Sequence, residues 1–286
     1  MSSVVDRSRW QEAQHLEESQ ATTDEVRQWV EVRKDTWANF VAYLRRAGYL
    51  TNPRRVLDIG GKYTTVFLAL REGERYAVDP VYLSMFEQHP FLQDVEELKG
   101  VHFLAMPAEE IQEVGSFDTI FCINMLDHMA VPQQLVDTID ALLTPGGNLI
   151  LVIDCYADRL VREIVRRFDV DVPHPHHFLA EDIRRMFSRL SLRIDDRDIL
   201  TLILSGRQYP GLRSSIPLYR IDLLMGRVRL LLRETGKGRG WIFPLKFVAC
   251  YTIAFSVAVL RRKDKPIHPL KKARLFIFEK PHAADG

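Results

Sequence analysis

The sequence predicts an α/β protein built on a doubly wound, seven-stranded, mostly parallel sheet. Three observations lead there. From Arg55 onward, short apolar runs alternate with helical stretches, the rhythm of successive βαβ units. The runs lack strict polar–apolar alternation, as expected of strands covered on both faces. The first run ends in an acid and two glycines, Asp58-Ile59-Gly60-Gly61, and glycine lets the backbone turn sharply and approach a ligand closely.

Residues 1–50 read as an N-terminal helical cap. Val26, Trp29, Val30, Trp37, Phe40, Val41 and Leu44 recur at helical spacing; Arg33 is the one polar residue on that stripe, and Gly48 is a stop. Thr51-Asn52-Pro53 then breaks the chain. The α/β domain, 51–205, offers five strands, at 56–59, 76–78, 101–104, 119–123 and 149–153. A helix is expected directly after the first strand. Another is expected over 133–143, where Leu135, Ile139, Leu142 and Leu143 share a face, before Thr144-Pro145-Gly146-Gly147 turns the chain into the fifth strand. Stretches 157–168 and 180–190 read as helices and 191–204 as a strand region. Residues 206–270 break the rhythm as a basic, apolar helical insertion. In the closing segment, 271–286, residues 274–279 read as a last strand at the sheet edge.

A composition 47% hydrophobic and 27% charged allows an ample core and excludes wholesale disorder. Net charge is only +1, yet from Ser205 to Arg274 there are 16 Lys or Arg against three acids, a local balance of +13. That segment either meets something anionic or packs against the acidic remainder of its own chain. Three widely spaced cysteines, Cys122, Cys155 and Cys250, fit neither a disulfide framework nor a structural zinc site. Together with a polar, acidic N-terminal stretch, they point to a cytoplasmic setting.

The second acid of interest, Asp79, lies 21 residues after Asp58, at the end of Tyr76-Ala77-Val78-Asp79. A carboxylate there can accept hydrogen bonds from two ribose hydroxyls. With the glycine turn, it indicates an adenosine-containing cofactor. The absence of G-x-G-x-x-G after the strand argues against a nicotinamide dinucleotide, whose pyrophosphate needs that loop.

Taken together, VLDIGG, AVDP, FDTIFCINMLDHM and LLTPGGNLILVID resemble the class I, Rossmann-like S-adenosylmethionine-dependent methyltransferases, type 11-like, over roughly residues 53–200. The resemblance implies S-adenosylmethionine as cofactor and S-adenosylhomocysteine as product. It assigns Asp58, Gly60 and Gly61 to the methionine part, Asp79 to the ribose, Ala108 and Glu109 to the adenine, and Asn124 to the reacting end. The family's loop is D-x-G-x-G-x-G, whereas here Lys62 and Thr64 replace glycines. This departure favours an alternative reading, a non-catalytic binding or scaffold protein on the same fold.

Methyl transfer is an in-line displacement, and a hydroxyl acceptor is helped by a general base. His128, beside Asp127 after strand four, is the first candidate, and His177, in His174-Pro175-His176-His177, is the next. No metal is expected, since the three histidines lack a carboxylate or cysteine at ligand spacing and Asn124 stands in place of an acid. Strand four is followed by NMLD rather than [DN]-P-P-[YFW], which argues against nucleic acid as acceptor. O-methylation of a small-molecule, lipid-like or carrier-linked glycan acceptor is the expected activity. In the insertion, residues 221–233 form a basic amphipathic helix candidate. The uncharged run 247–260 falls short of the about 20 residues that span a bilayer. The insertion suits a lid over the acceptor, a buried helix in a homodimer interface, or a contact with a membrane surface.

Overall fold

The computed structural model describes residues 21–111, 115–156, 159–168, 174–198 and 271–282, with positions 246, 248–250 and 253. Apart from those five positions, the insertion predicted over 206–270 lies outside the described residues, and so do residues 1–20 of the cap. The described part of the cap is one helix, α1 (Thr23–Arg46). Thr22 starts it with a capping box: its hydroxyl accepts from the Glu25 amide, and the Glu25 carboxylate accepts from the Thr22 amide. Acids in the first turn and Arg45 and Arg46 in the last oppose the helix dipole favourably. Val26, Val30, Trp37, Phe40, Val41 and Leu44 are buried, as their spacing predicts.

The sheet comprises β1 (Arg55–Ile59), β2 (Glu74–Val78), β3 (Val101–Leu104), β4 (Phe117–Ile123), β5 (Leu143–Tyr156), β6 (Ser191–Asp198) and β7 (Lys271–Glu279). Its order is β3-β2-β1-β4-β5-β7-β6, with β1 to β5 parallel and β7 antiparallel to both neighbours. Helices α2 (Tyr82–Gln88), α3 (Pro132–Leu142), α4 (Arg159–Phe168) and α5 (Ala180–Met186) complete the frame. Along β1, Val56 packs into one apolar cluster and Leu57 and Ile59 into the other, and Asp58 is the one buried polar residue of the strand. β2 lies on one side of β1 and β4 on the other. The connections therefore reverse direction between β1 and β4, which opens a crevice beyond the carboxyl ends of these strands.

Two expectations are corrected. No α-helix follows β1; Lys62–Thr64 and Val66–Leu68 form two 3-10 turns instead. Side-chain and backbone groups of Thr65 and Val66 are bound by Asp58, which interrupts helical hydrogen bonding at that point. The last strand does not close the sheet edge. β7 runs between β5 and β6, because Leu275, Phe276, Ile277 and Phe278 are all buried and need a layer on each side, whereas β6 carries exposed Ser191, Leu192 and Arg193 to the edge. Other boundaries move by a few residues: β5 begins at Leu143 and α5 ends at Met186. No disulfide joins Cys122, Cys155 and Cys250, all of which are buried. Among the described residues, no helix is long and apolar enough to cross a membrane.

An interior β7 has a measurable consequence. Phe276→Ala is expected to lower unfolding free energy in urea by about 3–5 kcal/mol, the range for a buried aromatic truncated to alanine. A loss under about 1 kcal/mol would return the strand to a solvated edge.

Candidate active site

A cavity of about 320 Å³ opens at the crevice between the β1 and β4 tips. Its floor is the β1 turn, with Asp58, Gly60 and Gly61; Asp79, Pro80 and Val81 border it at the end of β2. Ile123, Asn124 and Met125 follow β4, Asp154 comes from β5, and Arg33 and Trp37 reach in from α1.

The β1 turn is organised by Asp58, whose carboxyl is 1% exposed. Its Oδ2 accepts from the Thr65 hydroxyl at 2.5 Å and from the Val66 amide at 3.0 Å. Burial pushes the Asp58 carboxyl up to about 6, against the pull of these two donors, and the nearby Asp79 adds to the rise. Gly60 has a φ of +76°, and a Cβ there would sit 2.6 Å from Met125 Sδ, so the turn admits no larger residue without displacing the β4 loop. The strand tips are tied together by backbone bonds: the Gly60 amide donates to Val78 and the Asn124 amide to Val152. Lys62 takes the left-handed conformation at φ +44° without glycine's freedom, and so does Asn124 at φ +50°. Lys62 lines the cavity, but Tyr63 does not. Its ring stacks on Trp29 at a centroid separation of 5.5 Å, and the Trp37 indole donates to the Thr64 carbonyl at 2.7 Å. α1 thereby holds the departing loop aside, and the cavity stays open.

Asp79 is 3% exposed at the tip of β2, where its Oδ1 accepts from the Val81 amide at 3.1 Å. Opposite, the turn Leu126–His128 brings in Asp127 and His128, at 3% and 7% exposure. His174 reaches the same place from the chain before α5. His176 anchors that segment: its amide donates to the Asp127 carbonyl at 3.4 Å, and its Nε2 lies 2.8 Å from the Met129 carbonyl oxygen. His177 turns to Tyr156, with ring centroids 5.1 Å apart.

Seven of the ten residues singled out in the sequence therefore meet at this cavity: Asp58, Gly60, Gly61, Asp79, Asn124, Asp127 and His128. Three do not line it. Ala108 and Glu109 sit in the 3-10 turn Ala108–Glu110 after β3, and the histidine of the cluster that reaches the cavity is His174, not His177. Sequence reasoning did not assign Arg33, Trp37, His174 or Asp154 to the site. Arg33 left a signal as a charge on an otherwise apolar helical stripe, and His174 as a member of the histidine cluster.

The methyltransferase-domain family matches residues 29–196, more than half of the 286-residue chain. The chain belongs to the class I S-adenosylmethionine-dependent methyltransferases. The matched span includes most of α1, so the helix that holds the loop aside belongs to the family's domain. Curated relatives of this methyltransferase include the tRNA U34 carboxymethyltransferases of Syntrophotalea carbinolica (31% identity over 40% of this chain and 37% of the relative) and Alteromonas mediterranea (33% identity over 34% and 32%). The chain thus spans about a third of the length of these relatives. Among solved structures, the YcgJ protein of Bacillus subtilis shares its fold at TM-score 0.54 and 17% identity, over 85% of this chain and 98% of that one. The cyclase SpnF does so at TM-score 0.55 and 14% identity, over 86% and 82%.

The family's cofactor is S-adenosylmethionine, and the donor set suits it. Carboxylates at two strand tips match the ribose hydroxyls and the methionyl ammonium, and the cationic Arg33 and Lys62 match the methionyl carboxylate. The glycine turn leaves room for close approach.

The raised Asp58 makes stability depend on pH. Below about pH 4, the group is protonated whether the chain is folded or unfolded. As pH climbs from about 4 to about 6, the unfolded chain gives up the proton first, so folding loses up to about 3 kcal/mol, which is not regained above that window. The wild-type stability measured relative to Asp58→Asn should therefore fall over pH 4–6 and level off above it. A difference that rises with pH would contradict the burial account.

Proposed function

We propose that the chain transfers a methyl group from S-adenosylmethionine to an oxygen of a small-molecule, lipid-like or carrier-linked acceptor. The observation that carries this reading is the cavity itself. Asp58, Gly60, Gly61 and Asp79 line it, and so do Asp127, His128 and His174. The first set would hold the cofactor as the family resemblance assigns, with Asp79 on the ribose. Ala108 and Glu109 keep the adenine-flanking role only through their position after β3. The methyl carbon would then face the imidazoles. When bound, S-adenosylmethionine would supply an electrophilic methyl group to the acceptor oxygen, its sulfur keeping the electron pair of the carbon–sulfur bond given up. The acceptor proton would pass to His128 or His174, with Asp127 favouring the imidazolium formed.

The topology supports an acceptor-covering role for the insertion expected over residues 206–270. β6 ends where Asp198 pairs with Arg274, and β7 starts where Lys271 pairs with Tyr156. Both ends of the intervening segment are therefore fixed at the same end of the sheet as the cavity. Its basic and apolar composition suits a lipid-like or anionic acceptor. A second reading, with RNA as acceptor, draws on the tRNA-modifying relatives and on the same basic composition.

Calorimetric titration with S-adenosylmethionine and S-adenosylhomocysteine tests the reading, and one site per chain is expected. Asp79→Ala should weaken both ligands at least tenfold, about 1.4 kcal/mol or more, while the thermal midpoint of the free protein moves little. Failure of the wild type to bind either compound would favour the non-catalytic alternative. With a radiolabelled methyl donor, incorporation into hydroxylated lipid or quinol acceptors supports the first reading. Incorporation into tRNA alone would replace it with the second.

A further inference from the structure

We propose that Asp127, His128 and His174 form a binding site for a divalent transition-metal ion on the acceptor side of the cavity. The three side chains come from two chain segments. Asp127 and His128 lie in the turn after β4, and His174 is presented by the segment that His176 fastens to the Asp127 and Met129 carbonyls. One ligand atom from each lies within 4.8 Å of the others, and among the described residues this is the group so arranged. All three line the cavity, so the site has a closed side in the protein and an open side toward the acceptor.

The carboxylate approaches both imidazoles without a hydrogen bond to either. Asp127 Oδ1 is 3.9 Å from His128 Nε2, and Asp127 Oδ2 is 4.0 Å from His174 Nε2, both beyond hydrogen-bond length. Asp127 Oδ1 is buried and has no hydrogen-bond partner, an arrangement that native proteins rarely keep unless something else fills the gap. Ligand atoms around a tetrahedral ion with bonds of about 2.0–2.1 Å sit roughly 3.4 Å apart, so small side-chain rotations would close the set. Surrounding charge favours a cation as well, with Asp58, Asp79 and Asp154 facing the same cavity against Arg33 and Lys62.

The donor set selects the ion. Two imidazoles and one carboxylate suit zinc, manganese or iron(II), whereas magnesium and calcium prefer oxygen ligands alone. Three protein ligands with a position left open toward a cavity is the arrangement of catalytic rather than structural sites. The site lies in the pocket of the proposed activity; with an ion held there, His128 and His174 would serve as ligands rather than as the base, and the ion would favour loss of the acceptor's proton to solvent, a role that rests on that activity. Ion binding itself does not.

The test uses the untagged full chain, stripped with a chelator and exchanged into metal-free buffer. Calorimetry with zinc chloride should show one ion per chain, and magnesium chloride should give no saturable binding. Cobalt(II) should give visible absorption bands from the same site. His174→Ala, which truncates a partly exposed side chain, and Asp127→Asn should each lower zinc affinity at least tenfold with circular dichroism unchanged. The control His282→Ala should bind as the wild type does. Absence of stoichiometric zinc binding by the wild type would overturn the site, and so would equal affinity in His174→Ala. Because S-adenosylmethionine binding is titrated separately, a chain that binds the cofactor but no zinc rejects the metal site and leaves the methyltransferase reading standing.

Discussion

A carboxyl group buried beneath the tip of a parallel strand has to be met by donors, and Asp58 finds them in the Thr65 hydroxyl and the Val66 amide. Much of the site depends on that exchange. It breaks the chain after β1 into two short 3-10 turns and so keeps a full helix from forming. It also fixes the sharp bend at Gly60, whose missing side chain lets Met125 from the β4 loop come close. α1 completes the arrangement from outside, with Trp37 holding the Thr64 carbonyl and Trp29 taking the Tyr63 ring. Two residues that could have filled the cavity, Lys62 and Tyr63, thus have different fates. One borders it in a left-handed backbone conformation, and the other is drawn away.

The fold was legible because its signals are local. Strands buried on both faces show as unbroken apolar runs, although Pro145, Gly146 and Gly147, read as a turn before the fifth strand, fall within the first residues of β5. The position of β7 was not legible, since strand order is a property of pairing and the run RLFIFE suits an interior or an edge strand equally. Within the site, Asp58, Gly60 and Asp79 could be found from spacing because they sit at the tips of two neighbouring strands, β1 and β2. The histidine cluster could be seen but not sorted. His174, His176 and His177 are within four positions of one another, yet one faces the cavity, one binds a carbonyl and one packs on Tyr156. That division is set by how the segment docks on the β4 loop, a contact between residues 47 positions apart. Arg33 and Trp37 were hidden for the same reason: a stripe of residues shows that a helix packs, not what it packs over.

Similarity of fold limits what can be said of chemistry. The frame that this methyltransferase shares with YcgJ it also shares with a cyclase. The groups that line the cavity beyond the strand ends come in part from the loops after β4 and before α5 and from α1. Those are the parts least constrained by the sheet, and their side chains can change without cost to the core.

The interior place of the last strand bears on how the polypeptide is made. On the ribosome, β1 to β5 emerge long before β7, with 114 residues between Tyr156 and Lys271. At about 5–20 residues per second, the side of β5 that will receive β7 waits on the order of 10 s for its partner. During that interval a row of unpaired amides and carbonyls is exposed beside the apolar residues Leu149 to Ile153, the kind of edge on which nascent chains pair wrongly. The nascent chain therefore has reason to need a holdase until its final strand arrives, and truncation near its end would leave that edge open for good.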